Sequence, residues 1–172
     1  MAKKAEHIEY LDGGVKLIVS PEHTFGTDAL LLAAFSRPRV RETAMDLGAG
    51  CGILPFLWFR DGCRGDLYAV DIQKDAIDLM QRSLRENPQI RNIFPLHADL
   101  RELPDHFPRP MDMIVMNPPY FPEGSGAPPQ IKSAQIARHD GGVVRIHPDV
   151  GVPMAVVVVL VPLSVVVGQA LQ

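Results

Sequence analysis

Short apolar runs alternate with runs of helical periodicity through the middle of the chain. Four apolar runs predict β-strands, at residues 43–47, 67–71, 93–99 and 111–116. Two runs with helical spacing predict α-helices, at residues 53–59 and 75–85. A series of strand, helix and strand predicts parallel strands joined by right-handed crossovers. The pattern therefore indicates an α/β protein with a mostly parallel sheet.

The first 41 residues have a different pattern. Residues 7–20 alternate around Asp12-Gly13-Gly14, which predicts a β-hairpin. The apolar run 29–35 predicts a buried helix, with Thr27 or Asp28 as its N-cap. We expect residues 1–41 to help cover a ligand site in a core formed by residues 42–140.

Residues 141–172 differ in composition from the rest of the chain. They are rich in valine, contain no amphipathic helical pattern, and include Pro153 and Pro162. The valine run predicts a strand, and the prolines favour an edge strand or a turn. Two hypotheses follow: a degenerate fifth strand, or a reading frame broken near residue 140, which would leave the sheet incomplete and the segment poorly packed. The run is too short for a membrane span.

Composition is that of an ordinary globular protein, with 172 residues and a formal net charge of -3. The charge argues against a protein that only binds nucleic acid, although a local basic patch would serve an enzyme that touches RNA. Two basic runs are candidates: Arg37, Arg39 and Arg41, and Lys132, Arg138 and His139.

The start of the chain and its cysteines indicate where the protein works. The polar start predicts no signal peptide, and Cys51 and Cys63 lack a metal-binding spacing. We expect a cytoplasmic protein without a metal or a membrane anchor, and a monomer.

A glycine-rich loop follows the first predicted core strand. Gly48, Gly50 and Gly52 would let the backbone turn tightly and a ligand approach it closely. Asp46 precedes the loop, where its charge would repel a pyrophosphate but suit the cationic methionine end of S-adenosylmethionine. Asp71 ends the next strand, at the distance expected for a carboxylate that binds a ribose. A nicotinamide cofactor is a minor alternative.

Further polar residues end the later strands. Asp99 could accept a hydrogen bond from the amine of a cofactor adenine, although a helix cap or turn residue is the alternative interpretation. Ile72 and Leu100, the residues after Asp71 and Asp99, complete the expected cofactor contacts. The carboxyl ends of parallel strands are where open α/β sheets bind ligands.

Asn117-Pro118-Pro119-Tyr120 follows the fourth core strand. An aromatic amine is a poor nucleophile because its lone pair is delocalised into the ring. The side-chain oxygen of Asn117 and the carbonyl of Pro118 could bind its two hydrogens, and the prolines would hold these acceptors in place. Tyr120 offers a flat face on which a base can stack. These residues predict methyl transfer to a flat, conjugated amine.

The two motifs carry a family resemblance. Residues 46–52 with residues 117–120 resemble the class I, Rossmann-like methyltransferases that act on amines. Residues 25–33 and 137–140 narrow the resemblance to bacterial enzymes that methylate N6 of an adenine in valine tRNA, within the small-methyltransferase domain group. The likeness covers about residues 7–140, and the tail departs from it.

The resemblance implies a function and a site. It implies S-adenosylmethionine as cofactor, contacts from Asp28, Gly48, Asp71 and Asp99, and catalysis at residues 117–120. Asn117 would also touch the cofactor, and Tyr120, Lys132, Arg138 and His139 would bind a tRNA substrate. Methylation of glutamine in a protein or of guanine N2 in ribosomal RNA is an alternative, as is an inactive remnant.

Overall fold

The computed structural model describes residues 5–100, 111–117 and the strand 156–159. It contains a two-stranded antiparallel hairpin and a five-stranded sheet whose pairs are all parallel. The α/β class and the parallel sheet predicted from the pattern are therefore confirmed. The proposed division at residues 41/42 and 140/141 remains a prediction.

The hairpin consists of β1 (His7–Leu11), a 3-10 turn (Asp12–Gly14) and β2 (Val15–Val19). The sequence pattern predicts this hairpin with its turn at Asp12-Gly13-Gly14, and the structure confirms it. Val15, Leu17 and Val19 are buried and belong to the main core cluster, so the hairpin shares one core with the parallel sheet.

The described residues include three α-helices: α1 (Thr27–Phe35), α2 (Ile53–Arg60) and α3 (Lys74–Arg85). Helix α3 packs against β2, and its positions Ala76, Leu79, Met80 and Ser83 are buried as the pattern predicts. Ser83 Oγ accepts the N–H of Ile18 at 2.8 Å. This hydrogen bond joins the hairpin to α3.

Helix α1 differs from its prediction in two ways. Its N-cap is Gly26, which provides no side-chain cap, so Thr27 and Asp28 are already helical. It is also only half buried, because Ala29, Leu32 and Ala33 face the core while Leu31 is 65% and Phe35 79% exposed. The prediction of a buried helix capped by Thr27 or Asp28 was therefore wrong.

The parallel sheet has the order β5-β4-β3-β6-β7. Its strands are β3 (Ala44–Leu47), β4 (Leu67–Asp71), β5 (Ile93–His97), β6 (Met113–Met116) and β7 (Val156–Val159). Strands β3 and β4 are buried along their whole length, as expected for a sheet covered on both faces. Pro95 lies in β5, at an edge of the sheet, where a missing ladder donor is tolerated.

Strand β7 comes from the valine-rich tail. Its four residues pair in parallel with β6, from Met113 opposite Val156 to Met116 opposite Val159. These four residues thus form a strand, as the fifth-strand hypothesis predicts. Within the described sheet, β7 is an edge strand, the position that the flanking prolines favour. The pairing does not test how the tail packs, so the poorly packed tail and the broken reading frame both stay predictions.

Candidate functional site

The strand order brings the candidate polar residues to one edge of the sheet. Asp46 lies within β3, Asp71 ends β4, Asp99 lies two residues after β5, and Asn117 directly follows β6. Because these strands are parallel and adjacent, their carboxyl ends share one edge. The observed topology therefore brings these residues to the same end of the sheet, as the sequence predicts.

The glycine loop turns the chain from β3 into α2. Gly48 and Ala49 both donate N–H groups to the carbonyl of Val70, at 2.9 Å. Gly48 has a φ of 75°, and a Cβ placed there would meet no atom within 4 Å. Open space beside a left-handed backbone is what a close ligand approach requires.

Gly52 has a different role in the same loop. Its φ is 86°, and a Cβ there would lie 2.7 Å from Cγ and Sδ of Met80. Gly52 therefore lets the end of the loop lie close against the Met80 side chain of α3, while Gly48 and Gly50 border the open side of the loop. Their predicted common role in cofactor binding remains a proposal.

Asp71 holds the loop in place. Its Oδ2 accepts the N–H of Gly50 and its Oδ1 accepts the N–H of Gln73, both at 2.8 Å. Each carboxylate oxygen has two lone pairs, so each retains one acceptor position for a further donor. The carboxylate is thus fixed by the backbone and still able to accept hydrogen bonds from a diol.

Asp46 is buried, and its Oδ2 has no hydrogen-bond partner among the described residues. Burial, and next the charge of Asp71, raise the pKa of Asp46 from 3.8 to about 8. Asp46 is therefore mostly protonated and neutral at physiological pH. A cation bound nearby would favour its charged form. Burial likewise raises the pKa of the neighbouring Cys51 thiol to about 12.

Asn117 meets Asp28 at the start of α1. The Nδ2 of Asn117 donates to Oδ2 of Asp28 at 2.9 Å, across 89 residues of sequence. Both residues are half-buried. The structure thus brings together two predicted site residues. The Asp28 carboxylate contacts the Asn117 side chain, and the N-cap residue of α1 is Gly26.

The residues after β4 and β5 form the next part of this edge. Ile72 is 41% exposed, and its carbonyl lies 3.0 Å from Nε2 of His97. Asp99 is half-buried, and Leu100 packs against the core cluster that includes Tyr68 and Val70. The position of His97 was not predicted, because a histidine at a strand end carries no signal of its own.

The remaining candidates divide into two groups. Arg37, Arg39 and Arg41 precede β3 and so lie at the amino end of the sheet, opposite the site, with Arg39 paired to Glu42. The other candidates lie outside the described residues: Pro118, Tyr120, Lys132, Arg138 and His139.

Neither a metal site nor a membrane span is found within the described ranges. Among those residues no three His, Cys, Asp or Glu side chains are grouped so that they could bind a metal ion. No helix in the same ranges has the length and apolar character to cross a bilayer. Cys51 and Cys63 are both buried, free thiols.

The parallel sheet, with a glycine loop after β3 and an acid at the end of β4, has the Rossmann-like α/β fold of class I methyltransferases. Two solved structures share this fold. The chain superposes on Trm5b from Pyrococcus abyssi with a TM-score of 0.54 and 23% identity, over 69% of this chain and 34% of that one. It superposes on the tRNA (uracil-54, C5)-methyltransferase of Pyrococcus abyssi, solved with S-adenosyl-L-homocysteine, with a TM-score of 0.52 and 20% identity, over 67% and 29%.

Sequence comparison identifies the family. The methyltransferase small domain model matches residues 22–142, and the chain therefore belongs to that family. A protein of Tolumonas auensis named tRNA1(Val) (adenine(37)-N6)-methyltransferase is 31% identical over 118 residues, 67% of this chain and 47% of that protein. A protein of the same name from Phocaeicola vulgatus is 32% identical over 116 residues, 66% and 47%. The chain spans about half the length of these relatives.

Proposed function

We propose that this chain uses S-adenosylmethionine to methylate the exocyclic N6 amine of an adenine in tRNA. The observation that carries the proposal is the position of Asn117, held by Asp28 at the carboxyl end of β6. The names of the similar proteins favour adenine in tRNA over the two alternative amines.

The residues at the site fit this cofactor. Gly48 and Gly50 border open space, Asp71 has acceptor positions left for a ribose diol, and Ile72 offers an exposed apolar face for an adenine ring. Asp46 supplies a buried acceptor whose charged form a nearby cation would stabilise. S-adenosylmethionine, when bound, supplies an electrophilic methyl group.

The protein's part in the reaction is to prepare the amine. The Asn117 oxygen would accept a hydrogen bond from the amine and so draw the nitrogen lone pair out of conjugation. The contact with Asp28 would hold this acceptor in place before the reaction, and a dipole fixed in advance lowers a barrier. We propose Pro118 as the second acceptor and Tyr120 as the surface on which the base stacks, with Lys132, Arg138 and His139 binding tRNA phosphates. Asp99 and Leu100 complete the proposed cofactor site.

A substrate panel tests the proposal. The full chain is incubated with tritiated S-adenosylmethionine and, separately, a valine tRNA transcript, a release factor and ribosomal RNA. We expect label in tRNA, recovered as N6-methyladenosine by mass spectrometry. Label only in protein would indicate glutamine methylation. Cofactor binding in calorimetry with label in none of the three would contradict the proposal.

Replacing Asp71 with Ala is expected to weaken S-adenosylmethionine binding. A hydrogen bond to a charged group contributes about 1.5–3 kcal/mol, which corresponds to roughly 10- to 100-fold in the dissociation constant. Titration calorimetry measures this change. The variant also frees the N–H groups of Gly50 and Gln73, so its melting temperature is recorded in parallel.

Asp75→Ala is the matched control for Asp71→Ala. It removes the same charge from an exposed residue in the first turn of α3. We expect its cofactor affinity to equal that of the unchanged chain. Equal affinity in Asp71→Ala and Asp75→Ala would remove Asp71 from the binding site.

A further inference from the structure

The contact between Asp28 and Asn117 decides which end of the Asn117 amide faces the substrate. A side-chain amide has a donor nitrogen on one arm and an acceptor oxygen on the other. An ionised carboxylate only accepts hydrogen bonds, so it binds the nitrogen arm. Asp28 Oδ2 lies 2.9 Å from that nitrogen. The opposite rotation of the amide would bring two acceptor oxygens together.

We propose that Asp28 is a positioning residue that fixes the Asn117 amide with its oxygen toward the substrate amine. The inference rests on the proposed function, in which that oxygen must accept a hydrogen bond from the amine. A rotated amide would present a donor to the amine and oppose the reaction. This role differs from the direct cofactor contact that the family resemblance implies for Asp28.

The fold holds Asp28 firmly enough for this role. Asp28 is the second residue of α1, which is docked through buried Ala29, Leu32 and Ala33 and packs on α2. Helix α2 begins directly after the glycine loop. The residue that orients Asn117 and the loop proposed to hold the cofactor are therefore attached to one pair of packed helices.

Gly26 provides the space for the Asp28 carboxylate. A Cβ at position 26 would collide with Oδ1 of Asp28. The φ of Gly26 is -105°, which any residue adopts, so the backbone does not itself require glycine there. Gly26→Ala should therefore displace the carboxylate while leaving the fold largely unchanged.

A mutant cycle in kcat tests whether Asp28 acts through Asn117. We expect Asp28→Ala to lower kcat on a valine tRNA transcript by roughly 10- to 100-fold, because one preorganised contact is lost. Asp28→Asn should lose less, since its oxygen can still accept the Asn117 N–H. Dissociation constants for S-adenosylmethionine should change by less than about threefold. In an Asn117→Ala background, Asp28→Ala should have no further effect, because coupled residues are not additive.

Two kinetic results would overturn the proposal. One is an additive loss of kcat in the double variant. The other is a loss that appears wholly as weaker cofactor binding, which would make Asp28 a cofactor contact. Gly26→Ala provides a second route to the same question, and it is expected to lower kcat without lowering the melting temperature by more than a few degrees.

A measurement without substrate separates this proposal from the proposed function. In a nitrogen-15 NMR spectrum, the Asn117 side-chain amide should show one slowly exchanging, downfield proton bound to Asp28. That signal should shift in Asp28→Ala and in Gly26→Ala. An unchanged signal overturns the positioning role, whatever the enzyme methylates. A shifted signal in a chain that methylates none of the three substrates would leave Asp28 as the partner of Asn117 and reject the proposed function.

Discussion

Asn117→Ala is expected to lower kcat for methyl transfer by roughly 10²- to 10³-fold, the usual effect of removing one preorganised polar group from an active site. The oxygen of Asn117 matters most as the amine nitrogen becomes tetrahedral, so the loss should appear in kcat rather than in cofactor affinity. Single-turnover kinetics with a valine tRNA transcript and titration calorimetry with S-adenosylmethionine measure the two quantities separately.

Asn92→Ala is a matched control for Asn117→Ala. Asn92 also donates through its side-chain nitrogen, to the carbonyl of Gly65, but it lies at the amino end of the sheet. We expect this variant to lose some stability and to keep its turnover. A parallel loss of turnover and cofactor affinity in Asn117→Ala would mean that Asn117 supports the fold of the site rather than the reaction.

Local patterns were sufficient to predict most of the regular structure. Strand β4 has the predicted bounds, and α3 begins one residue before the predicted start. Strand β4 is buried at every position, as its continuous apolar run predicts, and on α3 the periodic positions from Ala76 to Ser83 are buried. Burial and local periodicity agree there, so the sequence contains the needed information.

Helix α1 shows where local reasoning fails. Asp28 is a good capping residue by type, but its carboxylate accepts a hydrogen bond from Asn117, 89 residues later. A contact at that separation leaves no trace in the local pattern. The sequence identified both residues as site candidates, but it did not pair them.

The valine-rich tail shows a related limit. Its composition predicts a strand, and residues 156–159 form one. The partner of that strand, β6, follows from the sheet topology and not from the valines themselves. Composition thus predicted the type of element, while its place in the sheet required the structure.

Asp46→Asn is expected to change how stability depends on pH. The Asp46 carboxyl has a pKa of about 8 in the folded chain, against 3.8 ordinarily, so the folded state binds more protons between these values. Its contribution to stability is therefore fully present below pH 3.8 and is lost as the pH rises toward 8. At about 1.4 kcal/mol per pKa unit, a shift of this size corresponds to several kcal/mol. Asparagine cannot ionise, so the variant should lack this loss.

Urea unfolding at several pH values between 5 and 8.5 measures the free energy of unfolding of Asp46→Asn and of the unchanged chain. The free energy of unfolding of Asp46→Asn, relative to the unchanged chain, should rise by several kcal/mol across this range. Asp75→Asn, on the exposed side of α3, should instead run parallel to the unchanged chain. Parallel curves for Asp46→Asn as well would mean that Asp46 is already ionised in the fold. Its buried oxygen would then need a cationic or hydrogen-bonding partner even without the cofactor, since an ionised carboxylate is not stable in an apolar interior without one.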